Sequence, residues 1–364
     1  MPTSRLDPKD VEIIGAIDKL GPKVSTEEVS DLLNIPARTV RYRLKRLRET
    51  GILGPPCVLT LERKLGLGEN IFLVNTTRKG AKFLPDVFHA IDTIYYNSPT
   101  YGTYNGYIAF ALYSLSSPRI TRRILEEMLK NELISNFFIF DITDFDYKPA
   151  DYTYFNSGLG WVWDWNKWRD HIQDILRSKG QFKCPLEEVQ SIAEFDNSDV
   201  LILRHMFDDG EITQKKLANI LSLSETLVNK RIHRMEDEGI IKGYRSTVCT
   251  TENELNLICF IELERPENPA LAAFYKLPFP ATITMESRTR FGIQLSLDAK
   301  DLSGFLKGLD VLRPHLTSCF IQTVHDSKMS MDSHPYNLYN EKTNRWETPG
   351  SEYIQDIENV LRGK

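Results

Sequence analysis

Six of the eleven residues from Arg38 to Arg48 are cationic: Arg38, Arg41, Arg43, Lys45, Arg46 and Arg48. Cations this dense suit one kind of chemistry. They neutralise phosphates and release counterions, and an arginine fork can also donate two hydrogen bonds to a guanine edge. The alternative is a merely solvated helix face, so what positions the charges decides between the two. Val40, Leu44 and Leu47 recur at spacings of four and three, which gathers them on one buried side of a helix. Arg38, Arg41, Tyr42 and Lys45 then turn the other way, and with Thr39 and Arg46 they form the candidate contact set for double-stranded DNA.

That helix needs two more to hold it. Asp7-Pro8 ahead of Val11, Ile14 and Ile17 reads as a helix start, since Asp accepts from free amides and Pro fits the first turn. The helix ends near Gly21-Pro22. Ser25-Thr26-Glu27-Glu28 is a capping box for a short second helix through Val29, Leu32 and Leu33, broken by Asn34-Ile35-Pro36. Two helices joined by a short turn, the second one basic, form a helix-turn-helix whose recognition helix fits a major groove.

The pattern occurs twice. Gly51 and Gly239 lie 239 − 51 = 188 residues apart, and the same offset links Val24 to Ile212, Val29 to Leu217, Leu32 to Ile220 and Val40 to Val228. A period this long means duplicated domains. In the second copy Asp196, Thr213 and Ser224 stand at cap positions, and the candidate contact residues are Thr226, Asn229, Lys230, His233 and Arg234. Glu225, Glu236, Asp237 and Glu238 surround them, so weaker phosphate binding is expected there, while Asn229 could still read a base edge.

Composition narrows the class. A chain of 364 residues, 41% hydrophobic and 26% charged, is an ordinary globular composition with room for two to four domains. The net charge of −5 places any nucleic-acid affinity in a local stripe. There is no apolar run of membrane-spanning length and no signal-peptide core at the amino terminus, so a cytoplasmic protein without membrane partners is expected. Cys57, Cys184, Cys249, Cys259 and Cys319 lack the close pairing of a zinc or redox motif. No Gly-rich phosphate loop, Ser/His/Asp set or metal spacing stands out, so no catalytic residue, cofactor or metal is expected.

Thr39-Val40-Arg41-Tyr42-Arg43-Leu44-Lys45-Arg46-Leu47, then Gly51-Ile52-Leu53 and Lys64-Leu65-Gly66-Leu67-Gly68 before an apolar strand, resembles the amino-terminal half of the Lrp/AsnC (feast/famine) transcription regulators. Arg231-Ile232 and Gly239-Ile240-Ile241-Lys242-Gly243-Tyr244-Arg245 resemble it again. The resemblance implies a winged helix followed by a ferredoxin-like effector domain, twice in one chain, and hence a covalent pseudo-dimer, with homodimerisation of whole chains as an alternative. The expected class is α+β: two winged helix-turn-helix domains and two ferredoxin-like βαββαβ domains, internally duplicated. The expected divisions are 1–62 and 191–252 for the winged helices, 63–148 and 253–328 for the effector domains, and 149–190 and 329–364 for extensions.

The hydropathy pattern gives the βαββαβ order independently. In the first half strands are expected at 70–77, 93–97, 106–113 and 134–145, with helices at 81–91 and 119–129; segments 257–263, 269–275, 281–286, 290–297, 299–309 and 317–324 repeat the order. Tyr107 to Tyr113 is apolar on both faces, which predicts a covering partner. The matching strand sets Phe291, Ile293, Leu295 and Leu297 against Arg290, Gln294 and Ser296. The two effector domains are therefore expected to pack together, the second offering the more polar surface.

The resemblance also implies a small-molecule effector near that interface, at a Thr-Gly-x-x-Asp stretch. Here the stretch is Tyr101-Gly102-Thr103-Tyr104-Asn105, with Asn in place of the acid, which makes Gly102, Tyr104 and Asn105 candidates. Arg288 and Arg290 in the other copy could fork onto an anion or simply pair with acids. Each half ends in an aromatic extension: Tyr152 to Asn156 with Trp161, Trp163, Trp165 and Trp168, then Tyr336, Tyr339 and Trp346. A ligand cage and a hydrophobic clamp are both compatible with this composition. His171-Ile172-Gln173-Asp174-Ile175 matches Tyr353-Ile354-Gln355-Asp356-Ile357, and the first of these is expected to be a spacer helix, with Lys179-Gly180-Gln181 as linker.

The leading expectation is a sequence-specific DNA-binding transcriptional regulator. The runner-up is an enzyme resembling the siroheme decarboxylases, which share this scaffold, with His89, His315 and His325 available. A third candidate is an architectural protein of low sequence preference.

Overall fold

The computed structural model describes residues 6–177, 182–189, 191–248, 254–325, 335–347 and 350–363. The expected linker, Lys179-Gly180-Gln181, lies outside them. The first half runs α1 Pro8–Leu20, α2 Thr26–Leu33, α3 Ala37–Glu49, β1 Leu53–Thr60, β2 Leu67–Thr76, α4 Gly80–Ala90, β3 Ile94–Gly102, β4 Gly106–Ser114, α5 Ile120–Lys130, β5 Ile134–Ile142 and β6 Asp144–Lys148. A small hairpin, β7 Phe155–Asn156 and β8 Gly160–Trp161, leads to α6 Trp165–Arg177. The second half repeats the plan: α7 Asn197–Asp208, α8 Gln214–Leu221, α9 Glu225–Asp237, β9 Ile241–Val248, β10 Glu254–Leu263, α10 Ala272–Tyr275, β11 Ala281–Met285, β12 Arg290–Asp298, α11 Leu302–Leu312 and β13 Leu316–Val324. A second hairpin, β14 Tyr339–Asn340 and β15 Arg345–Trp346, leads to α12 Gly350–Leu361.

Helix starts follow the caps. Asp7 and Asp10 form a capping box on α1, Ser25 and Glu28 on α2, and Asp196 and Asp199 on α7, each satisfying amides that have no partner within the helix. Asn34 and Ser222 close α2 and α8 in the left-handed conformation. Across α1 and α7 the repeat offset is 199 − 10 = 189, and it falls to 188 at the following turn.

The two ferredoxin-like domains form one sheet in the order β5-β2-β4-β3-β13-β10-β12-β11-β6. β5 and β6 are one path interrupted at Thr143, whose amide donates to the Met285 carbonyl at 2.7 Å. The first and last strands of the sheet are therefore consecutive in the chain, β5 paired with β2 and β6 with β11. Inside lie Ile71, Leu73, Ile108, Phe140 and Ile142 from the first half and Ile258, Phe260 and Val324 from the second. β4 faces this interior with Ile108 and Phe110 and its own helices with Ala109, Ala111 and Tyr113, so both of its apolar faces are covered. β12 contributes nothing to the interior core; Gln294 is exposed and Ser296 donates to Asn256. The expected final strand at 134–145 thus becomes two strands, the first pairing within its own domain and the second with β11 of the other.

The extensions cross over. Trp161, Trp168 and Ile172 enter the core of the second ferredoxin-like domain with Phe274, Phe279 and Phe305, while Tyr353 and Ile357 enter that of the first with Leu84, Phe88 and Ile124. The Trp168 ring stacks on Phe305, with centroids 6.0 Å apart, and its Nε1 donates to the Ala273 carbonyl at 3.0 Å. α6 is therefore a strap over α10 and α11 rather than a spacer. The 171–175 match also misleads: His171 is exposed where Tyr353 is buried, and the buried pairs Trp168/Ile172 and Tyr353/Ile357 correspond at an offset of 353 − 168 = 185.

Each winged helix instead packs on the extension of its own half. Tyr152 and Phe155 pack under the first, and Tyr336, Leu338 and Trp346 under the second. Their wing strands pair antiparallel, β1 with β9, with Cys57 opposite Arg245. Because 245 − 57 = 188, that pair is a residue facing its own repeat equivalent, so a pseudo-twofold axis passes through it.

Candidate nucleic-acid interface

In α3 the three apolar residues Val40, Leu44 and Leu47 are buried, and the helix is divided accordingly. Arg38, Arg41, Tyr42 and Lys45 are exposed and Thr39 is half-buried. Tyr42, an aromatic ring 68% exposed, gains nothing from the fold in that position. Arg41 donates to Glu27 at 3.1 Å and Thr26 at 3.4 Å, and Lys45 lies 3.7 Å from Glu49. Exposed pairs of this kind are worth at most about 1 kcal/mol, so a phosphate can displace them.

Two arginines of the same helix turn inward. Arg43 pairs with Asp7 and, at 2.8 Å, with Asp10; Arg46 pairs with Asp10. Asp10 is fully buried and also accepts from the Asp7 amide, so one carboxylate caps α1 and fixes α3 upon it. The Arg43 guanidinium helps hold the Asp7 carboxyl below its ordinary value against a larger opposing effect of burial. The second copy is built the same way: Arg231 bonds Asp196 and Asp199 at 3.0 Å, and Arg234 pairs with Asp199. Arg46 and Arg234, grouped with the DNA contacts from sequence, are placed by the structure as anchors of the recognition helices.

In α9, Thr226 and Lys230 are exposed, Asn229 donates to Gln214 at 3.0 Å, and His233 lies 3.0 Å from Glu236. Arg38, Arg41, Tyr42 and Lys45 are thus matched by Thr226, Asn229, Lys230 and His233, a face with less fixed charge. A shallow cleft of about 250 Å³ beside α3 is lined by Thr26, Arg41, Lys45, Arg48 and Glu49. Arg48, the remaining cation of the run from Arg38, reaches Glu211 of the second winged helix at 3.0 Å.

The effector candidates fall in two separate places. The turn at Gly102 to Asn105 is filled by Gln322 of the second half, which is fully buried; its amide donates to the Tyr104 carbonyl at 2.8 Å and Thr100 at 3.1 Å and accepts from the Tyr104 amide at 3.0 Å. Asn105 bonds Gly102 at 3.4 Å in both directions. At the other junction Arg290 pairs with Glu286 and Arg288 lies 4.0 Å from Glu188, both acids of the chain itself.

Where β1 runs into β2, the buried Glu62 carboxyl lies near the half-buried Glu69. Burial, reinforced by the neighbouring Glu69 charge, pushes Glu62 up to about 8; burial pushes Glu69 up to about 7. Thr60 bonds Glu62, Tyr95 donates to Glu69, and Tyr336 of the exchanged extension reaches Thr60 at 3.3 Å.

Two helix-turn-helix units with anchored recognition helices, each with a wing strand and each followed by a ferredoxin-like domain, define a tandem winged-helix protein. The winged helix-turn-helix DNA-binding family matches residues 6–53 and 195–242. A leucine-responsive regulatory protein of Rhizobium meliloti is 32% identical over 83 residues, which cover 22% of this chain and 53% of that protein. An uncharacterized HTH-type transcriptional regulator of Bacillus subtilis, YezC, is 30% identical over 79 residues, or 22% of this chain and 57% of that one. The chain spans about half the length of the curated relatives it matches. A solved structure of the siroheme decarboxylase NirDL aligns with 98% of this chain and 99% of its own at 12% identity and a TM-score of 0.49. A likeness of that degree assigns no activity. The chain carries two matches to the winged helix-turn-helix DNA-binding family, one at the start of each half. No helix among the described residues is long and apolar enough to cross a membrane.

Proposed function

We propose that the chain is a sequence-specific transcriptional regulator that binds double-stranded DNA as a covalent pseudo-dimer, its two unequal recognition helices entering two major grooves. The observation that carries this reading is the division of labour in α3: Arg43 and Arg46 are spent on holding the helix, while Arg38, Arg41, Tyr42 and Lys45 remain on its outer face. α9 has the same anchors and a weaker outer face. The first winged helix therefore supplies most of the phosphate affinity, and the second adds a less charged half-site contact.

No effector is assigned. Gln322 satisfies the polar groups of turn 102–105, and Glu286 neutralises Arg290. The test is selection of genomic duplex fragments across a salt series. A recurrent two-part site retained at about 0.15 M salt is expected; uniform binding that decays steeply with salt would instead favour an architectural role.

A further inference from the structure

The pseudo-twofold axis through Cys57 and Arg245 relates each residue near it to a counterpart 188 positions away, so a contact on one side of the axis has its equivalent on the other. Arg48 of the first winged helix meets Glu211 of the second at 3.0 Å. The equivalents of these residues are Glu236 (48 + 188) and Lys23 (211 − 188), and they face each other at the opposite end of the strand pair. There Lys23 lies 3.8 Å from the centre of the Tyr244 ring, Tyr244 donates to Glu236 at 2.9 Å, and the Glu236 charge acts on Lys23. The first winged helix thus brings two cations to the contact and the second brings two acids. Both positions have opposite sign in the two copies.

The signs matter because the strand pairing alone does not discriminate between partners. With two copies of the first winged helix, Arg48 would face Lys23 at both ends and Cys57 would face Cys57. With two copies of the second, Glu236 would face Glu211 at both ends and Arg245 would face Arg245. Like charges held face to face at an interface are destabilising, and for Arg245 the two would be directly opposite on paired strands. The shape is fitted unequally as well. A Cβ at Gly210 would stand 1.6 Å from the Pro56 carbonyl oxygen, whereas Gly21, at the other end, has nothing within 4 Å and borders a cleft lined by Leu20, Val24 and Tyr244.

We propose that these charges make each winged helix the partner of the other and not of a copy of itself, so that the wing interface is used within the chain and rejects a second chain presenting the same half. The proposal concerns the pairing of the two modules and does not depend on DNA binding.

The experiment uses the full-length chain carrying Arg245→Cys, which places a thiol opposite Cys57 at a spacing suited to a disulfide. Under mild oxidation a cross-link from Cys57 to the introduced thiol within one chain is expected, located by peptide mapping. Adding Lys23→Glu and Arg48→Glu, which gives both modules the same sign, should slow that cross-link by about tenfold at low salt and less at high salt. Adding Glu211→Lys and Glu236→Lys to these should restore the rate. An unchanged rate in the first set, or no recovery in the second, would overturn the proposal. So would a Cys57-to-Cys57 link between chains of the unmodified protein. Should the Lys23→Glu, Arg48→Glu set fail to fold, as judged by circular dichroism, recovery of fold and cross-linking in the four-fold reversal is the expected result and continued failure the refuting one.

Discussion

A single methyl group tests the exchanged strap. Gly308 lies inside α11, where Gly→Ala in an ordinary solvent-facing helix gains about 1 kcal/mol. Here a Cβ at 308 would stand 1.9 Å from Trp168 Cζ3 and 2.4 Å from Cε3. The indole has no easy retreat. It is fully buried, stacked on Phe305, set edge-on to Trp165 and bonded to the Ala273 carbonyl. Forcing a methyl into such packing costs about 1–3 kcal/mol, and expelling the ring altogether approaches the roughly 3–5 kcal/mol of a Trp→Ala change. After subtracting the propensity gain, Gly308→Ala should destabilise by about 1 kcal/mol, rising to about 2–4 if the ring leaves. Urea unfolding followed by tryptophan emission reads both effects, as an earlier midpoint and a red-shifted folded state. Trp168→Ala should remove the clash, so the double variant should cost little more than Trp168→Ala alone. A higher midpoint in Gly308→Ala, as for an exposed helical glycine, would refute the packing and with it the strap.

Arg41→Ala with Lys45→Ala should weaken DNA binding by tenfold or more at about 0.15 M salt and flatten the salt slope by roughly two phosphate contacts, measured by fluorescence anisotropy; an unchanged slope would count against α3. The Glu62 and Glu69 carboxyls are raised by burial, so the folded state favours their protonated forms. That contribution is complete below the unfolded carboxyl range and is lost as pH rises through about 7 to 8. Glu62→Gln should therefore stabilise the chain relative to wild type increasingly from about pH 5 to 8 in thermal melts and level off above that, and a pH-independent difference would contradict this. Gln322→Leu should cost about 1–3 kcal/mol by leaving the half-buried Tyr104 amide and carbonyl without their partner, seen as a lower unfolding midpoint; a neutral outcome would mean water replaces the clamp.

The winged helices were legible because their determinants are local. Asp7/Asp10, Ser25/Glu28 and Asp196/Asp199 are capping pairs three residues apart, and Val40, Leu44 and Leu47 mark their own buried face. The shared sheet was half legible: the two apolar faces of β4 called for a partner, but the strands that join the halves depend on pairing between distant segments. The inward turn of Arg46 could not be separated from the outward turn of Lys45 by composition, since its partner Asp10 lies 36 residues away. Gln322 in the turn at Tyr104 is 218 residues distant, and no periodicity records such a contact. The straps were misread because 171–175 and 353–357 match by letter, while burial follows Trp168 and Tyr353.

The residue pair on the pseudo-twofold axis, Cys57 against Arg245, is itself unequal, and so is every pair that flanks it. A symmetric dimer laid on a palindrome looks identical from upstream and downstream. Two unlike halves fused in one polypeptide always occur one to one and cannot be exchanged for each other, so on the proposed reading this chain has a heading on DNA. Inverting its binding site relative to a neighbouring start point would turn a different flank toward the transcription machinery, a polarity that two identical subunits cannot encode.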